Sequence, residues 1–97
     1  MNLRIEAAAQ QELEEAAEWY GAIRLTLAAD FLAEFDHGIR MIIQAPNAWH
    51  PVGTNFRRYR LDRFPYGIIY HPSAVEIVVI AIAHLHRDPD YWRNRIV

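Results

Sequence analysis

The chain has 97 residues, of which 53% are hydrophobic and 23% charged, and it contains no cysteine. This composition predicts one folded domain over residues 1–97, and it excludes disulfide bonds and thiolate metal sites. The apolar runs are far shorter than the roughly 20 residues of a membrane span, and residues 1–6 lack the apolar core of a secretory signal. We therefore expect a cytoplasmic protein without membrane contact.

The formal net charge of -2 is unevenly distributed along the chain. Residues 1–49 carry three arginines against eight acidic residues, whereas residues 50–97 carry seven arginines against four acidic residues. All basic residues are arginine, which forms bidentate contacts with phosphate or carboxylate groups. The basic half suits nucleic acid or an acidic protein surface, although a genomic preference for arginine would produce the same count.

The first half of the chain predicts a strand followed by two helices. Leu3 and Ile5 alternate with polar residues, which is typical of a short strand with one buried face. Helical periodicity begins at residue 8 and weakens near Gly21. A second amphipathic helix begins near Thr26, a candidate N-cap, and Pro46 prevents its continuation. Two such helices joined by a few residues predict an antiparallel helical hairpin.

The second half predicts a loop over residues 46–55, a strand over 56–61 and a β-hairpin over 64–83. The run 77–83 is apolar at every position, which indicates a central strand covered on both faces. Asp88 and Pro89 form a helix-start signal, so a final helix is predicted over 88–95. The order β-α-α-β-β-β-α describes an α+β fold in which a helical hairpin packs on a small twisted antiparallel sheet.

Polar residues follow the central strand directly: His84, His86, Arg87 and Asp88. A rigid strand that delivers polar groups to its end is a common way to build a site. Two structural interpretations remain open: His84 is half-buried against a backbone carbonyl or Asp88, and Arg87 forms an ion pair with Asp88. A third interpretation is that the two histidines, with Asp88 nearby, bind a metal. The spacing is too unspecific for a metal site, so no metal is expected.

The order and spacing of several short motifs resemble the RelE/ParE superfamily of toxins from type II toxin–antitoxin modules. The motifs are Trp19-Tyr20, Phe31-Leu32, Pro46, the segments 60–66, 69–70 and 83–89, and Tyr91-Trp92. The resemblance implies a compact toxin without a cofactor, held inactive by a cognate antitoxin in a hetero-oligomer. It leaves the target open, because the superfamily contains two activities.

The favoured activity is inhibition of DNA gyrase, as in ParE-like members, because the segment from His84 to Pro89 is similar to the ending of ParE-like chains. This activity needs a binding surface and no hydrolytic residues. The candidate target-binding residues are Arg58, Arg60, Arg63, His86 and Arg87. Arginines clustered on and after one strand focus positive potential, which supports this choice.

The alternative is ribosome-dependent mRNA cleavage, as in RelE-like members, in which a 2′-hydroxyl attacks the adjacent phosphate. The residues suited to proton transfer and charge stabilisation are His84, Arg63, Arg87 and Tyr91. The chain departs from the RelE-like pattern, since Gly67 stands where an arginine is frequent and lysines are absent. A third reading is an inactive relative that serves only as a binding module.

The tip of the predicted helical hairpin is rich in large apolar residues. Trp19, Ile23 and Leu27 are the candidate antitoxin-binding residues, because an amphipathic segment of a partner could cover them. The acidic first helix and the basic sheet offer charge complementarity for such a partner.

Overall fold

A computed structural model of the chain describes residues 2–95, which form two helices and five strands. The elements in chain order are β1 (Asn2–Ile5), α1 (Ala7–Ile23), α2 (Leu25–Gln44), β2 (His50–Val52), β3 (Phe56–Arg60), β4 (Tyr66–Pro72) and β5 (Glu76–His84). This architecture confirms the predicted α+β fold with a helical hairpin on a sheet. Neither helix is long and apolar enough to cross a membrane.

The helices form because apolar residues recur at helical spacing on one face of each. Ala9, Leu13 and Ala16 are the buried residues of α1, and four buried residues line α2: Phe31, Phe35, Gly38 and Ile42. Gly21 does not end α1, which continues to Ile23. Arg24, in an extended conformation, is the single residue between the helices and occupies the N-cap position of α2. The prediction of Thr26 as the N-cap is therefore wrong, whereas α2 does end before Pro46 as predicted.

The sheet has the strand order β1-β5-β4-β3-β2. The apolar strand β5 lies inside the sheet, and Ile77 to Ala83 are all buried, as predicted. The sheet is mixed rather than antiparallel, because β1 pairs with β5 in parallel. It also contains a strand that was predicted to be loop, since His50–Val52 pairs with Arg58 to Phe56 at the edge. Pro51 is tolerated there because an edge strand needs hydrogen bonds on one side only.

The predicted final helix does not form within the described residues. Residues 85–95 instead make a series of turns, here called the tail, in which Tyr91 N–H donates to Asp88 O and Arg95 N–H donates to Trp92 O. Asp88 uses its carboxylate to accept the Asp90 N–H at 3.0 Å, which closes a local turn. Because isolated helices this short are marginal, the burial of Trp92 against the sheet determines the path of the tail.

Two apolar clusters cover opposite faces of the sheet. The helix-side cluster joins α1 and α2 to Ile68, Tyr70, Ile77, Val79 and Ile82, whereas the tail-side cluster joins Trp92 to Ile69, Val78, Ile80, Ala81 and Ala83. The alternation of β5 is interrupted where Ile69 pairs with Ala81 and Tyr70 with Val79, so that Ile80 is an extra residue. This bulge places both Ile80 and Ala81 in the tail-side cluster.

Candidate functional site

The predicted polar residues lie at one end of the sheet, where β3 and β5 end and β4 begins. Arg60 pairs with Gly67, Gly67 pairs with Ala83, and Tyr66 pairs with His84. Because β4 lies between them, Arg60 is two strands away from β5, or about 10 Å in the direction of the hydrogen bonds. The polar end of β5 and Arg60 of β3 are therefore not on adjacent strands.

His84 is half-buried and is held by the chain that follows it. Its Nδ1 atom accepts the backbone N–H of His86 at 3.1 Å, so the neutral ring carries its proton on Nε2. The His84 ring also contacts the rings of Tyr66 and His86, at centroid distances of 5.1 and 5.2 Å. The predicted acceptors, a backbone carbonyl or Asp88, are not the partners of this ring among the described residues.

A cleft of about 240 Å³ separates α1 from the end of β5. Trp19, Tyr66, His84 and Arg87 line it together with the carboxylates of two α1 residues. His84 and Arg87 therefore line the same cleft. His86 lies beside this cleft and is exposed.

Arg87 and Tyr91 are both engaged by Glu12 of α1. The Tyr91 hydroxyl donates to Glu12 Oε2 at 2.6 Å, and Arg87 Nη1 lies 3.6 Å from the same oxygen. The Arg87 guanidinium stacks 3.6 Å from the centre of the Tyr91 ring. Burial, and then the hydrogen bond to Glu12, raise the pKa of Tyr91 above its ordinary value. The predicted ion pair of Arg87 with Asp88 is replaced by this contact with Glu12.

Sequence reasoning missed Glu12, although the chain carries a signal for it. Glu12 lies three residues after Ala9 and four before Ala16, so it falls on the buried stripe of α1. A carboxylate on such a stripe requires polar partners, because an unpaired buried charge is costly. The partners come from residues 82–95, so their identity could not be read from α1.

Arg63 is directed toward α2. Its backbone N–H donates to Glu34 Oε1 at 2.8 Å, and its Nη2 atom lies 3.5 Å from Asp30 Oδ2. The guanidinium also lies 5.5 Å from the centre of the Phe64 ring. The Arg63 side chain remains largely exposed, so this ion pair contributes at most about 1 kcal/mol.

Arg58 and Arg60 lie on the tail side of the sheet, since Tyr59 between them belongs to the helix-side cluster. The Arg58 stem crosses Gly67, where a Cβ atom would lie 2.9 Å from Arg58 Cγ and Cδ. Glycine at 67 thus leaves the space that the Arg58 side chain occupies. Arg58 Nε is buried without a hydrogen-bond partner among the described residues, whereas Arg60 is exposed.

The predicted antitoxin-binding residues lie at and near the tip of the helical hairpin. Trp19 is 66% exposed and Ile23 is 61% exposed, whereas Leu27 is half-buried. Leu25, at the start of α2, adds a further exposed apolar side chain. These four apolar residues at one end of the helical hairpin are here called the tip patch, and exposed apolar side chains of this kind are often covered by partners.

The chain matches a protein-family model and is similar in fold to a solved structure. The family model of the ParE toxin of the type II toxin–antitoxin system, parDE, matches residues 3–89. A solved structure described as a chromosomal ParDE toxin–antitoxin system from P. aeruginosa is similar in fold, with a TM-score of 0.79 at 19% sequence identity. The match covers 89% of this chain and 97% of that chain. No match was found among curated protein sequences. Since the family model spans nearly all of the chain, this protein belongs to the ParE toxin family of type II toxin–antitoxin systems.

Proposed function

We propose that this toxin arrests growth by inhibiting DNA gyrase and that a cognate antitoxin neutralises it. Membership of the ParE family implies a ParD antitoxin as partner. The observation that carries the choice of target is the engagement of the candidate catalytic groups. Tyr91 and Arg87 contact Glu12, and Arg63 contacts α2. A gyrase inhibitor needs a binding surface and no free acid–base group, so the hydrogen bond that engages Tyr91 does not impede it.

The chemistry of mRNA cleavage fits these contacts less well. That reaction needs a base for the 2′-hydroxyl, cations for the phosphorane and an acid for the 5′-oxygen. His84 would have only Nε2 available, because Nδ1 accepts a backbone N–H. The Tyr91 hydroxyl donates a hydrogen bond to the Glu12 carboxylate, and Arg87 is already close to the same carboxylate. A ribonuclease would have to break these contacts before it held a phosphate.

The target-binding surface in this proposal consists of Arg58, Arg60, Arg63, His86 and Arg87. Its exposed members are Arg60, Arg63, His86 and Arg87, and they lie around one end of the sheet. A group of arginines without nearby lysines favours planar acidic or phosphate partners, which form paired hydrogen bonds with guanidinium groups. Binding to gyrase should therefore weaken as the salt concentration rises.

The antitoxin in this proposal covers the tip patch. Trp19 and Ile23 are exposed on α1, and Leu25 begins α2, so an amphipathic segment could bury all three at once. The patch borders the α1–β5 cleft, because Trp19 also lines that cleft with His84 and Arg87. An antitoxin bound there would lie beside the basic end of the sheet, which explains how one contact could block access to the target.

The test is a gyrase supercoiling assay with purified toxin, accompanied by a translation assay that detects mRNA cleavage. We expect the toxin to inhibit supercoiling and to leave translated mRNA intact. Arg60→Ala should raise the half-inhibitory concentration about tenfold, as for an interface hot spot. Arg40→Ala is the matched control, because Arg40 is an exposed arginine on α2.

Two other outcomes would contradict the proposal. Ribosome-dependent mRNA cleavage without an effect on supercoiling would assign the RelE-like activity instead. Normal growth of bacteria that express the chain without an antitoxin would identify an inactive relative that acts as a binding module.

A further inference from the structure

The edge of β5 is covered by side chains where its neighbouring strand ends. β1 pairs with β5 only from Glu76 to Val79. Beyond that point, the Ile82 N–H donates to Glu12 Oε1 at 3.0 Å, and the Ile80 carbonyl accepts from Arg95 Nη1 at 3.3 Å. One carboxylate and one guanidinium thus take the hydrogen bonds that a neighbouring strand would otherwise make.

Glu12 joins this edge to the tail through both of its oxygens. Oε1 accepts from Arg95 Nη1 at 2.8 Å, and Oε2 accepts from Arg95 Nη2 at 3.1 Å and from the Tyr91 hydroxyl. The pair with Arg95 is bidentate, and only 12% of the Glu12 side chain is exposed. Charge-assisted hydrogen bonds with little solvent exposure are costly to break one at a time.

The tail has little local structure to fix its own position. Its turns are closed by single i to i−3 backbone hydrogen bonds, and it contains no helix among the described residues. Its tertiary anchors include the Leu85 N–H, which donates to the Pro65 carbonyl at 2.8 Å, Trp92 in the tail-side cluster, and the contacts of Arg87, Tyr91 and Arg95 with Glu12. The tail also carries His86 and Arg87, two members of the proposed target-binding surface.

We propose that Glu12 is a positioning residue for the toxin: it holds the tail against α1 and β5 and thereby presents His86 and Arg87 to the target. This inference rests on the proposed function for its last step, whereas the holding of the tail is independent of it. Glu12 itself is largely covered by its partners, so it acts through the residues that it orients.

The first experiment measures the tail directly in the full chain. Glu12→Gln keeps the shape of the side chain and removes its charge, and Glu14→Gln is the control because Glu14 is exposed on the same helix. Hydrogen exchange at the Ile82 amide and at the tail amides should be about tenfold faster in Glu12→Gln, because an amide keeps one acceptor oxygen and no charge for the donors that share both carboxylate oxygens. Unchanged exchange at these amides would overturn the inference.

A spectroscopic readout separates the polar contact from a general loss of stability. Because the Glu12 carboxylate contributes to the raised pKa of Tyr91, the Tyr91 titration should move toward its ordinary value in Glu12→Gln. It should stay unchanged in Glu14→Gln. If Glu12→Gln does not fold, Tyr91→Phe removes a single hydrogen bond and should still accelerate exchange in the tail. A tail as protected in Tyr91→Phe as in the wild type would then overturn the inference.

The second experiment measures gyrase inhibition by the same variants. We expect the half-inhibitory concentration to rise about tenfold in Glu12→Gln and to stay within about twofold in Glu14→Gln. A loosened tail with undiminished inhibition would overturn the positioning role. A wild-type toxin without any effect on gyrase would refute the proposed function instead, and the exchange data would still decide whether Glu12 holds the tail.

Discussion

The two faces of the sheet are covered in different ways. On one face, α1 and α2 bury periodic apolar residues in a broad cluster, and few polar contacts are involved. On the other face, the tail buries one large side chain, Trp92, and is held at the edge by hydrogen bonds to Glu12. A local apolar pattern is therefore enough to place the helices on one face, whereas the tail on the other face depends on partners about 80 residues apart.

The largest expected loss of stability follows from a substitution on the tail-covered face. Trp92 is 1% exposed and lies 4.9 Å from the Phe56 ring, so Trp92→Ala removes the centre of that cluster. We expect the free energy of unfolding to fall by about 3–5 kcal/mol, measured by denaturant titration. Trp19→Ala is the matched control: the exposed Trp19 should change stability by less than about 0.5 kcal/mol.

The Trp19→Ala variant also tests the proposed antitoxin surface. Trp19→Ala should weaken antitoxin binding, because it removes an exposed aromatic side chain of the tip patch.

A Trp92→Ala protein as stable as the wild type would show that the tail adds little to the stability of the face it covers. The contrast between the helix-covered face and the tail-covered face would then disappear.

A smaller effect is expected on the helix-covered face, where α2 approaches the sheet closely. A Cβ atom at Gly38 would lie 2.9 Å from Ile68 Cδ1 and 3.0 Å from Tyr59 ring atoms. Gly38→Ala should therefore lower the free energy of unfolding by about 1–3 kcal/mol, although alanine is the better helix former. Gly21→Ala is the control, because its Cβ atom would meet only Ala28 Cβ, at 3.3 Å.

Thermal and denaturant unfolding of both glycine variants would check this difference. If Gly38→Ala were as stable as Gly21→Ala, α2 would be packed less closely against the sheet than the distances at Gly38 indicate.

The smallest effect concerns Tyr70, which is buried in the helix-side cluster and donates to the Pro46 carbonyl at 2.7 Å. Burial raises the pKa of Tyr70 from 10.0 to about 12. The folded protein therefore holds this proton more tightly than the unfolded chain. The resulting stability is fully present below pH 10 and is lost as the pH rises through 12.

Denaturant titrations between pH 8 and pH 11 would measure this loss. Tyr70→Phe should cost about 1–2 kcal/mol at neutral pH, because the Pro46 carbonyl loses its donor, but it should lose less stability at alkaline pH than the wild type. Equal alkaline losses in both proteins would show that Tyr70 does not contribute to the pH dependence.

Much of the fold could be predicted because its signals are local. The apolar stripes gave the two helices, Pro46 gave the end of α2, and the apolar run 77–83 gave an inner strand. The errors arose where tertiary contacts outweighed local signals. His50–Val52 is a strand because it pairs with the edge of β3. Residues 88–95 do not form a helix because the tail lies along the sheet and buries Trp92.

The site was less predictable than the fold. His84 and Arg87 do line one cleft, but Arg63 is bound to α2, and β4 separates Arg60 from the end of β5. The order of strands in the sheet determines which residues are neighbours, and local sequence patterns do not specify that order. The roles of all these residues in target binding stay predictions until the variants are measured.

Periodicity, charge and motif order can be read along the chain, so they predicted the α+β architecture, the basic second half and the resemblance to a toxin family. The contacts of Glu12 with Tyr91, Arg95 and the edge of β5 exist only in the folded chain. A carboxylate that is largely covered requires polar partners, and only the folded chain brings Tyr91 and Arg95 to Glu12 from the opposite end of the sequence.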